Sequence, residues 1–178
     1  MIAAMLAVSL LFAGAFLAVA RFHSSPSDVL DHPANPVSDD ATRALVVEAA
    51  KHVVTVAGLQ TTTAGYLLMS CKNRDDPPYQ GAVYLTFVLP AGARADTYFR
   101  TAAAALTTHG WTEGLPPSDQ VFGKTLSKGG VTAILHRHDA DTGMGVLRLY
   151  GQCRNITDHR RDPTGWIDIT GELTLTVR

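Results

Sequence analysis

The sequence is poor in cysteine: Cys71 and Cys153 are the only two in 178 residues, and neither belongs to a C-x-x-C pair. That usage excludes a dedicated zinc knuckle and a thioredoxin-like redox centre. Runs of one charge are missing as well. The 15 Lys and Arg are interleaved with 16 Asp and Glu, for a net charge of -1. The chain therefore lacks the basic footprint that nucleic acid or an anionic lipid surface requires, and no nucleic-acid partner is expected. Four catalytic or cofactor signatures are also absent: the G-x-S-x-G elbow, the phosphate loop G-x-x-x-x-G-K-S/T, H-E-x-x-H, and G-x-G-x-x-G after a strand. Esterase, nucleotide-phosphate, zinc-protease and dinucleotide chemistry lose their anchors with them. No catalytic residue and no cofactor is expected.

What is present begins with a leader. Met1 to Ala20 carry no charged side chain, and the first charge is Arg21. Twenty residues rising about 1.5 Å each are just long enough for a hydrocarbon core of about 30 Å. A secretory signal also fits, with small-residue cleavage patterns at Ala13 and Ala15 or at Ala18 and Ala20. It has no basic n-region, while Arg21 and His23 follow the apolar run, and the positive-inside rule reads that asymmetry as a cytoplasmic domain. A buried core helix is the remaining alternative, but a helix apolar on every face needs a larger protein around it. Residues 22 to 40, FHSSPSDVLDHPANPVSDD, show no apolar period and read as a tether. About 140 residues remain for a single domain.

The two thiols decide the side. In an exported domain an isolated pair forms a bridge, and closing a loop of about 80 residues adds roughly 4 kcal/mol in the chain-entropy picture. The reading is a membrane protein with Cys71 bridged to Cys153 and the domain of residues 41–178 on the extracytoplasmic side. Residues 1–21 are read as a retained single-pass anchor, with secretion after cleavage as the alternative.

The domain maps as α+β. Ser38-Asp39-Asp40 offers N-caps to a helix in which Val46, Ala49, Ala50, Val53, Val54 and Ala57 recur at helical spacing, with Gly58 as its stop. A strand over residues 62–71 and a second over 81–90 form a long-looped hairpin across Pro77-Pro78. In the second, Val83, Leu85, Phe87 and Leu89 alternate with Tyr84, Thr86 and Val88. Asp96 is positioned to cap a second helix that ends at His109-Gly110, with Trp111 beneath it. Strands over 120–127, 131–138 and 146–153 come next, and residues 166–178 read as an edge strand or a frayed end. The expected order is α-β-β-α-β-β-β, two helices on one face of an antiparallel sheet of about five strands.

Three clusters carry possible chemistry. His136 and His138 lie on one side of a strand, and with His159 they are the basis of an alternative reading as a hydrolase or metal-dependent enzyme. They sit opposite Val131, Ala133 and Leu135, which predicts a solvated face rather than a metal site. Arg154, Asn155, Asp158 and His159 form a polar cluster suited either to an anion or to a solvated hairpin end. Asp75-Asp76 and Asp139 with Asp141 are carboxylate pairs beside Pro and Gly, where water prevents the pKa splitting that acid-base chemistry needs. Asn155-Ile156-Thr157 matches a glycosylation sequon.

The blocks SCKNRDDPPYQG, YFRTAAAALTTHGWTEGLPP, FGKTLSKGGVTA and GQCRNITDHR resemble the LppJ-type lipoproteins of mycobacteria and related actinobacteria, from about Val37 to Leu173. The resemblance implies a cell-envelope protein with cysteines at the positions of Cys71 and Cys153 and no catalytic residues to transfer. Lipoproteins of this type end their signal in a box whose cysteine is acylated. The matching stretch, Leu11 to Ala15, has Ala15 where that cysteine would stand. The expected function is a non-enzymatic envelope module binding a protein, lipid or glycan, with residues 1–20 engaging the membrane.

Overall fold

The computed structural model describes residues 30–72, 76–120, 122–163 and 165–174. The expected membrane segment, the lipobox position and most of the tether lie outside them. Among the described residues no helix is long and apolar enough to cross a membrane. The chain divides into two units, Met1–Ala34 and Asn35–Arg178, and the sheet with its covering helices belongs to the second.

Helix α1, Asp39–Ala57, starts where Ser38 accepts the Ala41 amide on its Oγ at 3.3 Å. Asp39 and Asp40 occupy its first turn, where the helix dipole favours negative charge. Gly58 ends it in the left-handed region at φ 62°, a conformation that penalises a side chain, and returns its N–H to the Val54 carbonyl. Residues 35–40 were expected in the tether, yet Val37 donates to the Arg154 carbonyl and Ser38 caps the helix. Their lack of apolar period reflects capping, not freedom. Helix α2, Ala95–Thr108, begins one residue before the expected cap: Arg94 is the N-cap residue and Asp96, inside the first turn, pairs with its guanidinium.

The strands are β1 (Gln60–Ser70), β2 (Tyr79–Val88), β3 (Thr112–Glu113), β4 (Lys124–Lys128), β5 (Val131–Arg137), β6 (Met144–Tyr150) and β7 (Ile167–Asp168). A short helical turn, α3, covers Thr170–Leu173. All seven strands form one antiparallel sheet in the order β3-β4-β5-β6-β2-β1-β7. The α+β class is as expected; the count of about five strands is low by β3 and β7. Two residues cannot display an alternating pattern, so neither strand had a periodic signal. The strand expected over 120–127 is reduced to β4, because Phe122 takes φ 65° in a turn.

Both helices pack on one face. Val46, Ala50, Val53 and Val54 of α1 and Phe99, Ala103 and Leu106 of α2 share a core with Val83, Leu85, Phe87, Leu147, Leu149, Val131, Ala133 and Leu135. Phe99, fully buried, is worth about 3 kcal/mol of transfer free energy. Trp111 closes the end of the core and donates its indole N–H to His52 at 3.1 Å. Phe87 faces Gly145 across the β2–β6 pair. The face of the sheet opposite α1 and α2 is where the side chains of Tyr84, Arg148 and Tyr150 emerge by the period-2 rule.

Candidate functional site

The polar cluster foreseen at the end of the last long strand resolves into a clasp. Asn155 is fully buried and donates its amide to Asp39 Oδ1 at 2.7 Å, while its own carbonyl oxygen accepts the Thr157 amide. His159 bridges two carboxylates, Nδ1 to Asp162 at 2.7 Å and Nε2 to Asp39 at 3.0 Å. Carboxylates only accept, so both ring nitrogens carry protons when these bonds are made. Burial works against the imidazolium, but the bonds and charges of Asp162 and Asp39 outweigh it and raise the His159 pKa. The Asn155 bond, reinforced by His159, holds Asp39 below the usual carboxylate range.

The remaining members do not converge on that point. Arg154 binds the Asn35 carbonyl and the Gln152 side chain, and Asp158 pairs with Arg160, which lowers its pKa strongly. Arg154, His159 and Arg160 are thus each turned to a partner of this chain. The sequon at Asn155 is unusable in the folded chain, because its amide nitrogen is buried in the clasp. Cys71 and Cys153 are bridged, with Cα atoms 6.0 Å apart, a separation typical of disulfides.

His136 was expected to face water and does not. The alternation places it opposite Leu135 as foreseen, but its row, His136–Val146–Thr86, is covered, with His136 1% exposed. Its Nδ1 donates to the Arg137 carbonyl at 2.8 Å, leaving Nε2 without a partner among the described residues. Burial lowers its pKa. His138 is half-buried and turned to its own loop, where Nδ1 accepts from the Ala140 and Asp141 amides. His159 shares no partner with either. Among the described residues no group of three or more His, Cys, Asp or Glu side chains is placed to hold a metal.

The larger feature was not legible in the sequence: a groove of about 680 Å³ on the sheet face opposite α1 and α2. That lies within the range of small-molecule sites. Its floor is Gly65, Ala82, Tyr84 and Tyr150, with Met69 toward one end. Trp166, 55% exposed, forms the wall. The indole rests on Gly65, where an added Cβ would lie 3.1 Å from Trp166 Cε3, and its ring centroid is 6.2 Å from that of Tyr84. The wall is pinned from behind: Thr170 Oγ1 accepts the Ala64 amide at 2.8 Å and the Ile169 amide returns to the Ala64 carbonyl. Arg148 enters the groove with its guanidinium carbon 5.8 Å from the Tyr84 ring centroid. Of the two readings of residues 166–178 the edge strand is present, as β7 at the sheet's edge, while the wall formed by Trp166 just before it was not foreseen, because a strand of only two residues carries no periodic signal.

A family profile described as "Putative lipoprotein LppJ" matches residues 38–172. Curated relatives carrying the same description come from Mycobacterium bovis and from two strains of Mycobacterium tuberculosis. Each is 43% identical over 157 residues, covering 88% of this chain and 82% of the relative. No solved structure matches. The profile spans the capped helix, the disulfide, the clasp and the groove wall alike, and the chain belongs to the LppJ family.

Proposed function

We propose that this chain is a non-enzymatic binding module of the cell envelope, held by residues 1–20 as a single-pass anchor with its domain on the extracytoplasmic side, and that the groove beside Trp166 is its binding site. The groove carries the reading. A largely apolar concavity walled by aromatic rings, with Arg148 and Asp168 as its charged groups, has the form of a ligand site. The disulfide and the lipoprotein kinship support the side of the membrane. The alternative enzymatic reading on His136, His138 and His159 draws no support from their separate settings, which share no partner.

Hydrogen exchange of the full chain in non-ionic detergent, with and without the neutral probe 1-aminoanthracene, tests the site. Protection is expected in peptides covering residues 63–69, 80–84, 148–150 and 165–170. Protection confined to the leader, or none, would sink the proposal. Intact mass of membrane-extracted protein tests the anchor: cleavage after Ala15 or Ala20 overturns it.

A further inference from the structure

Taking the groove to be a binding site, we infer that its ligand is a single-chain amphiphile with one anionic head group, the head seated on Arg148 and the acyl chain lying along the sheet toward Ala82 and Met69. Two independent features point there. The first is an unanswered charge. Arg148 is half-buried, and among the described residues its guanidinium makes no hydrogen bond or ion pair; it lies over the Tyr84 ring. A guanidinium has five donors, and one partly withdrawn from water gains most from a carboxylate or phosphate, which it binds in fork geometry.

The second feature is the distribution of polarity along the groove. Its one carboxylate, Asp168, stands three strands from Arg148 in the row Arg148–Tyr84–Gly65–Asp168, about 14 Å at roughly 4.8 Å per strand. Asp168 Oδ1 already accepts the Thr170 amide at 2.8 Å. From Arg148 toward the other end the surface runs over Ala82, Tyr150 and Met69, which offer methyl groups, ring faces and a thioether. Of the groove's polar groups, Thr63 is already bonded to Thr86, Thr170 to Ala64 and Asp168 to the Thr170 amide, which leaves fewer partners for a sugar's hydroxyls, whereas an acyl chain needs none. Trp166 and Tyr84 flank the junction, rings that suit the boundary between a polar head and an apolar chain.

The test is photolabelling of the full chain in non-ionic detergent with palmitate bearing a diazirine near its methyl end, followed by peptide mapping. Labelling is expected around Met69, Ala82 and Tyr150. Unlabelled palmitate should displace the probe about tenfold better than hexadecanol, the gain from a hydrogen bond to a charged partner. R148Q should abolish that preference while keeping the 1-aminoanthracene protection, which shows the groove intact. Acid and alcohol competing equally in the wild-type chain would overturn the inference and leave the binding reading standing. Label confined to residues 1–20, with no protection by 1-aminoanthracene, overturns both. A dimer in sedimentation whose formation shields the groove peptides overturns it too, by assigning the face to a second copy.

Discussion

Asn155 and Asp39, 116 residues apart in sequence, meet side chain to side chain at 2.7 Å and fasten the loop after β6 to the first turn of α1. The contact is charge-assisted and its amide is fully buried. Asn155→Ala removes it, frees the Thr157 amide, and is expected to cost about 2 kcal/mol in urea unfolding. Asp39→Ala in the same background should cost much less than it does alone, because the two residues act as one unit. Additive losses would refute the clasp.

His159 makes the clasp sensitive to pH. Its pKa is raised on folding, so its stabilising contribution is complete below the unfolded value, about 6.5, and is lost as pH rises through the folded value. His159→Gln should therefore lower Tm more at pH 5.5 than at pH 8.5. His136 works in the opposite sense: burial lowers its pKa, so its neutral form stabilises above the unfolded value and that contribution falls away as pH drops through the folded one. A His159→Gln deficit that grows with pH would contradict the assignment.

The Cys71–Cys153 bridge closes a separation of 82 residues, which the chain-entropy relation converts to about 4 kcal/mol. Replacing both cysteines by serine should lower the unfolding free energy by that order. A chemical denaturation curve unmoved by the double change would show that the bridge constrains little.

Gly145 lies under the ring of Phe87, and a Cβ there would fall 2.2 Å from Phe87 Cζ. Gly145→Ala is expected to destabilise by about 3 kcal/mol through overpacking. Phe87→Leu in the same chain should recover part of the loss, so the double variant melts higher than Gly145→Ala alone. Failure of that rescue would place the strain elsewhere.

Tyr66 tests the reverse case. Its hydroxyl is buried with no partner among the described residues, and burial pushes its pKa up to about 12. Tyr66→Phe sheds an unsatisfied polar group and should raise stability by up to about 1 kcal/mol. A loss of more than that would mean the hydroxyl has a partner after all.

The periodic parts of the fold were legible because period and burial coincide in them. Val83, Leu85 and Phe87 announce the core face of β2, and Val46, Ala50, Val53 and Val54 the core face of α1. The site was not legible, for two reasons. Pattern tells which side chains share a face but not whether the opposite face is wet, so His136 was placed in water when its row is covered. The groove also depends on Trp166 reaching over Gly65 from a segment distant in sequence, held by Thr170. A lone glycine in β1 opposite a tyrosine was the one available hint, since glycine in a strand marks a close approach.

The pairing of β2 with β6 joins two locally built halves, the β1–β2 hairpin and the β4–β5–β6 meander. Each half forms from neighbouring segments, whereas their union must close about 60 residues of intervening chain before any contact rewards it. The cysteine bridge spans the same junction, at the ends of β1 and β6. Oxidation therefore does more than strengthen the finished domain: it brings the halves together and shortens the search for their register. In the oxidised unfolded chain the two halves are already tethered at the place where β2 must meet β6, so the bridge lies on the one union that local turns do not supply.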